Sequence, residues 1–309
     1  MPAPAPARPE GPPPAAEFRY TQTDSFVALL RELGASLLVS TYQANKLLAV
    51  RAAGGGLSIL VRTFDRPMGI AVAGPRVALG TRDRVWLFRD VPDIAPRVAP
   101  AGTHDACYLP RTCHMTGDIG VHELAWAGDK LWAVNTRFSC LCTLDPDYSF
   151  VPRWRPPFVS ALAAEDRCHL NGLAMEGGRP RYVTALGETD TAGGWRAGKA
   201  QGGCLMDVGT GEVLLRGLSM PHSPRWHDGR LWILESGTGR LVLVDPATGR
   251  PQGVADLPGF VRGLTLCGPY AFVGLSRIRK SSAMDGVPLA ERREQSSAAR
   301  RSWTCAAAK

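Results

Sequence analysis

The 309-residue chain has no apolar run near the ~18 residues a membrane-spanning helix requires, and its first residues lack the basic start and apolar stretch of a secretion signal. Both absences predict a cytoplasmic protein without membrane contact. Aromatic residues make up only 7%, and no basic run interleaved with aromatics occurs in the body of the chain. The formal charge of +8 is therefore read as solubility, and nucleic acid is not expected as a partner. A Gly-rich phosphate loop and a Gly-x-Ser-x-Gly elbow are also missing, which removes the signatures of P-loop nucleotide binding and serine hydrolysis. Cysteine is present eight times, but irregularly spaced. Cys107, Cys113 and His114 fit no zinc template, and Cys140 and Cys142, two apart on one strand, face the same side. Reduced thiols are expected.

What is present is a repeat. His122, Trp126, Leu131, Trp132, Leu141, Asp145 and Pro146 recur one hundred residues later as His222, Trp226, Leu231, Trp232, Leu241, Asp245 and Pro246. Each copy reads as strand, Gly-containing turn, strand, polar loop and a third strand ending in Asp-Pro. Weaker copies begin at Met68-Gly, Asn171-Gly and Arg262-Gly, and an earlier unit runs through Leu37 to Val50. Periods of roughly 40 to 55 residues suit the four-stranded units of a propeller. A β-sandwich also uses short strands, but its strands need not resemble one another. The expected fold is an all-β propeller of about six blades with an incomplete last blade.

Three segments are expected: a disordered Pro/Ala-rich tail at 1–18, the propeller at 19–295, and a tail at 296–309 without strand pattern. Read one base earlier, the codons of the last segment can spell Val-Asp-Leu-Arg-Ser-Gly-Lys, which matches the pattern of Val244-Asp-Pro-Ala-Thr-Gly-Arg250. The tail is accordingly read as a possible frameshift product. The polar stretch Thr103 to Asp118 is read as a lid or as the cover of a blade edge.

In a propeller the loops that lead into each inner strand and out of the second strand share one face. This places His122, Asn135, Arg137, His169, Glu235 and Arg262 together as candidate ligand-binding groups, with Glu188 and His222 as candidate catalytic bases. His227, in the opposite turn, is read as structural. Trp126, Trp132, Trp226 and Trp232 are read as inter-blade packing, and Asp145 and Asp245 as turn formers.

Glu123 in His-Glu-Leu-Ala-Trp and Asn171 in Leu-Asn-Gly-Leu-Ala resemble the metal-binding loops of the gluconolactonase-like six-bladed propellers. The resemblance implies a divalent cation such as calcium, held by Glu123 and Asn171, that polarises a lactone carbonyl. That family's next essential Asp stands here as Ser223. A closer resemblance is to a family of conserved bacterial proteins catalogued as a domain of unknown function. It is carried by Asn135-Thr-Arg-Phe-Ser-Cys-Leu-Cys-Thr-Leu-Asp145, Cys168-His-Leu-Asn-Gly-Leu-Ala174, Ser219-Met-Pro-His-Ser-Pro-Arg-Trp226 and Ala271-Phe-Val-Gly-Leu-Ser-Arg-Ile-Arg279, and it implies a propeller-like fold without an activity. Two functions follow as expectations: a module binding a small polar or anionic ligand or a peptide in the central pocket, and a metal-assisted, lactonase-like hydrolase.

Overall fold

Short apolar stretches rich in Val, Leu and Ile, each closed by a Gly or Asp-Gly turn, form antiparallel meanders in which every strand pairs with the next. The structure, a computed structural model, describes residues 18–276, 286–292 and 304–308. Helix α1 (Asp24–Glu32) is capped by Thr23, whose side chain accepts from the Phe26 amide, and it buries Val27 and Leu30. The first sheet holds β1 (Leu37–Thr41), β2 (Lys46–Ala53) and β3 (Gly56–Thr63). The second holds β4 (Ile70–Ala73), β5 (Arg76–Gly80), β6 (Arg84–Asp90) and β7 (Tyr108–Met115). In the third lie β8 (Val121–Ala127), β9 (Lys130–Asn135), β10 (Cys140–Thr143) and β11 (Val151–Trp154). The fourth comprises β12 (Leu170–Glu176), β13 (Arg179–Ala185), β14 (Gly203–Asp207) and β15 (Val213–Leu218), with the short helix α2 (Trp195–Gly198) between its second and third strands. The fifth comprises β16 (Pro221–His227), β17 (Arg230–Glu235), β18 (Arg240–Asp245) and β19 (Arg250–Asp256). A partial sixth sheet pairs β20 (Phe260–Cys267), β21 (Tyr270–Ser276) and β22 (Thr304–Ala308), with helix α3 (Pro288–Arg292) preceding β22.

The first strands of successive sheets lie side by side, β4 against β8, β8 against β12, β12 against β16 and β16 against β20. That is the inner wall of a propeller. The chain is thus an all-β propeller with five blades and a partial sixth sheet, where about six blades were expected. The apolar core sits between blades. Val121, Leu124 and Cys140 of the third sheet meet Ala71, Ala78 and Val85 of the second, and Val134 and Leu141 meet Leu170 and Val183 of the fourth. Each repeated Trp packs against one of these inter-blade clusters, as the repeat predicts. Cys140 and Cys142 share one buried cluster, and the described cysteines are free.

Glycine lets the inner strands approach. A Cβ on Gly69 would lie 3.0 Å from the Glu123 backbone, and one on Gly172 would strike Pro224 and the Thr184 hydroxyl. These are the glycines of the Met68-Gly and Asn171-Gly motifs, so the repeat marks where neighbouring blades touch.

Two expectations change. Within the 296–309 segment, Thr304 to Ala308 form a strand that pairs with β21 from Ala271 to Leu275. An open strand edge pairs through backbone groups, and backbone pairing needs no repeat-like sequence. The Thr103 to Asp118 stretch is not a lid: Tyr108 to Met115 form the outer strand of the second sheet and pair with β6, so it covers a blade edge. The expected disorder at 1–18 falls on residues that, up to 17, lie outside those described. Among the described residues no helix is long and apolar enough to cross a membrane.

Candidate functional site

Two contacts cross the ring and define its interior. Arg225 on β16 reaches Glu123 on β8, past the intervening fourth sheet, and donates to both carboxylate oxygens at 3.0 Å. Its Nε also donates to Leu264 O at 2.9 Å. Opposite, Arg262 on β20 brings Nη2 to 3.5 Å from the sulfur of Met68, just before β4. Arg262 sits deep among protein atoms but keeps part of its surface exposed. Burial works against its charge, while Tyr42 and Glu123 support it, and a guanidinium stays protonated in any case. Among the described residues no carboxylate forms an ion pair with it.

His122 and His222 lie close enough to this cation to feel its charge, and His169 packs edge-on against His122. His122 and His222, identical in the repeat, are held identically. His122 Nδ1 lies 2.7 Å from Thr136 Oγ1 and 3.2 Å from Gly120 O, and Thr136 donates to Leu170 O of the next blade at 2.6 Å. His222 Nδ1 lies 2.9 Å from both Ser236 Oγ and Met220 O, and Ser236 donates to Val261 O of the next sheet. The third ring, His169, sits at positive φ of 52°. That is a left-handed conformation costing a non-Gly residue about 1–2 kcal/mol. Its Nδ1 faces both Asp166 oxygens at 2.9 and 3.0 Å, and Trp195 Nε1 donates to the same carboxylate at 3.0 Å. Its ring centroid is 4.9 Å from that of His122 and 4.4 Å from that of Trp195.

Burial first, and then the nearby Arg262, push His122 and His222 well below the usual imidazole range. His169 adds to this at both, and His222 adds to it at His122. Both rings are therefore neutral at pH 7. A polar cleft of about 400 Å³ is lined by Tyr42, Gln43, Asn45, Asp65, Arg66 and Arg82. Tyr42, on the wall of this cleft, acts electrostatically on Arg262.

The candidates read from the sequence separate into two groups. His122, His169, His222 and Arg262 converge. The others are engaged elsewhere. Asn135 is fully buried and accepts from the Phe138 amide at 3.0 Å. Arg137 pairs with Asp118 at 3.1 Å near the surface. Glu235 accepts from the Ser219 amide and the Thr238 hydroxyl. Exposed Glu188 pairs with Arg216 at 2.7 Å, which does not suit a free base. The proposed cation ligands are not free to act together. Both Glu123 oxygens are held by Arg225, and Asn171 uses its amide nitrogen on Pro221 O at 3.0 Å and its oxygen to accept from Thr184 at 2.7 Å. Among the described residues no three His, Cys, Asp or Glu side chains are gathered as a metal site. His227 lies 3.2 Å from Gly268 O, a structural contact.

Sequence reading missed Arg225, Asp166, Trp195, Thr136 and Ser236. The last two were findable, because both are hydroxyl residues at equivalent places in the repeat. No local signal marks Arg225, whose carboxylate partner is decided by how blades meet, whereas Asp166 stands only three residues before its partner His169.

No curated protein matches the sequence. Among solved structures, the PQQ-bound aldose sugar dehydrogenase from Streptomyces coelicolor is similar at 17% identity and a TM-score of 0.50, over 81% of this chain and 89% of that one. A chain of the nidogen/laminin complex is similar at 12% identity and a TM-score of 0.50, over 77% and 84%. A gluconolactonase from Xanthomonas campestris is similar at 18% identity and a TM-score of 0.48, over 78% and 79%. At these identities the first two support the propeller fold alone. The sequence pattern of one family matches residues 24–305, nearly the whole chain, and the protein belongs to that family, the Domain of unknown function (DUF4915).

Proposed function

We propose that the protein binds a small anionic ligand in its central channel, with Arg262 as the charge anchor. One observation carries this reading: a guanidinium deep inside the ring has no ion-pair partner among the described residues, while the neighbouring carboxylate, Glu123, is already neutralised by Arg225. A buried charge is costly unless paired, so a ligand carboxylate or phosphate supplies what the fold leaves open. Isothermal titration with acetate, butanoate and inorganic phosphate tests it. Wild type binds at least one of them and Arg262→Met binds none; a wild type that binds no anion overturns the reading.

The Asp166–His169 pair favours a second reading, hydrolysis. Asp166 fixes the Nδ1 proton of His169, which leaves Nε2 as a lone pair able to take a proton from water attacking a bound ester or lactone. Small lactones and acetate esters are the substrates to try. Turnover that is lost in His169→Asn, with anion binding retained, supports this reading, and no turnover with any of them removes it.

A further inference from the structure

We propose that the anion held by Arg262 is a short hydroxylated carboxylate whose hydroxyl groups donate to Nε2 of His122, His169 and His222. This rests on the anion-binding reading and adds the chemical class.

Counting protons at each ring carries the inference. Thr136 has one hydroxyl proton, and it points to Leu170 O at 2.6 Å. Toward His122 its oxygen can therefore only accept, as can Gly120 O, so the proton between them sits on Nδ1. Ser236 likewise directs its proton to Val261 O, and Met220 O only accepts, which puts a proton on Nδ1 of His222. The Asp166 carboxylate puts one on Nδ1 of His169. Wherever a ring so held is neutral, its Nε2 is consequently a lone pair. No Nε2 of the three has a hydrogen-bond partner among the described residues, and none is among the buried polar atoms left unsatisfied, so each keeps an open side.

The channel therefore offers one cationic donor and three acceptors. A plain carboxylate satisfies Arg262 but has no proton for the imidazoles, and a hydrogen phosphate ion has fewer than three. An uncharged polyol has the protons but leaves Arg262 unpaired. Only a molecule with both satisfies the set, and a site built to accept hydroxyl protons discriminates strongly against analogues that lack them.

Three four-carbon probes separate the possibilities in titrations of the full chain at pH 7.5: butanoate, threitol and 2,3,4-trihydroxybutanoate. The expected result is at least tenfold tighter binding of trihydroxybutanoate than of either other probe, with the advantage over butanoate lost in His169→Leu. Butanoate binding within threefold of trihydroxybutanoate overturns the inference and leaves the anion site standing. If neither carboxylate binds, the inference falls, and the anion site falls with it if inorganic phosphate does not bind either. Nitrogen-15 NMR of the histidines in the wild type supplies a measurement independent of any variant's folding. The ligand-free protein should show protonated Nδ1 and lone-pair Nε2 at all three rings, with the Nε2 signals moving on addition of trihydroxybutanoate and not of butanoate. Protonated Nε2 at these rings in the free protein overturns the inference.

Discussion

Arg225 and Glu123, 102 residues apart in sequence, meet inside the ring in two parallel hydrogen bonds of 3.0 Å. The pair ties the fifth sheet to the third, and with Arg225 also bonded to Leu264 O it touches the sixth. Removing one partner leaves the other charge buried, a change that costs ~3–5 kcal/mol for well-buried pairs. Arg225 keeps its backbone carbonyl partners, Leu264 O and Pro224 O, so Glu123→Gln is expected to cost about 2–3 kcal/mol. Urea unfolding of Glu123→Gln, Arg225→Met and the double variant checks this, with the double variant less destabilised than the sum of the singles.

The same pair predicts the outcome of metal addition. A carboxylate already held bidentately by Arg225 offers a hard cation little, so calcium or manganese at millimolar concentration should leave the thermal midpoint of the wild type unchanged. A shift of several degrees that Glu123→Gln abolishes would restore the cation reading. Thermal unfolding with and without each metal is the measurement.

Stability should fall on acidification through the imidazole range. His122 and His222 are depressed below their unfolded value of 6.5, so the unfolded chain binds more protons than the folded one below about pH 6.5. Their contribution is full above that value and is lost as pH falls toward the depressed folded pKa. Two such groups give a slope of about 2–3 kcal/mol per pH unit. Asp190, held at about 2 by Ser160 and Arg167, titrates well below this window. Urea midpoints from pH 7.5 to 5 should show the slope, halved in His222→Gln.

Arg262→Met should leave the fold intact and equal or raise its stability, because it removes a desolvated charge that lacks an ion pair. Since Arg262 is one of the causes holding His122 and His222 neutral, the acid transition of this variant should move to lower pH. Parallel thermal scans at pH 7.5 and 5.5 give both numbers.

Gly172→Ala places a methyl group against Pro224 and the Thr184 hydroxyl. Thr184 is fixed by its bond to Asn171 and Pro224 belongs to the neighbouring inner strand, so neither yields easily. A loss of about 1–3 kcal/mol is expected. Gly253→Ala, where a Cβ meets nothing within 4 Å, is the control in the same urea series.

The repeat between residues 122–146 and 222–246 predicted the propeller and the equivalence of His122 and His222, and the equivalence extends to a shared hydrogen-bond scheme through Thr136 and Ser236. The loop rule named His169 and Arg262 with them. It also gathered Asn135, Glu188 and Glu235, which the folded chain uses for turns and ion pairs. The error has a physical source. Position on a rim says which residues are near the channel, but whether a polar side chain is free depends on neighbours from other blades. Glu123 shows this most clearly: its sequence surroundings suggested a cation ligand, and its partner came from two blades away.

The sequence alone determined the strand meanders, the glycines where inner strands touch, the inter-blade tryptophans and the imidazoles at the ring's inner face. These depend on local spacing and on a pattern that every blade repeats. Only the tertiary structure decided that Glu123 pairs with Arg225, and that Arg262 is left as a cation without a carboxylate partner among the described residues. Those relationships arise from closing the ring, which brings together side chains 102 and 194 residues apart, and no local pattern encodes a contact of that range.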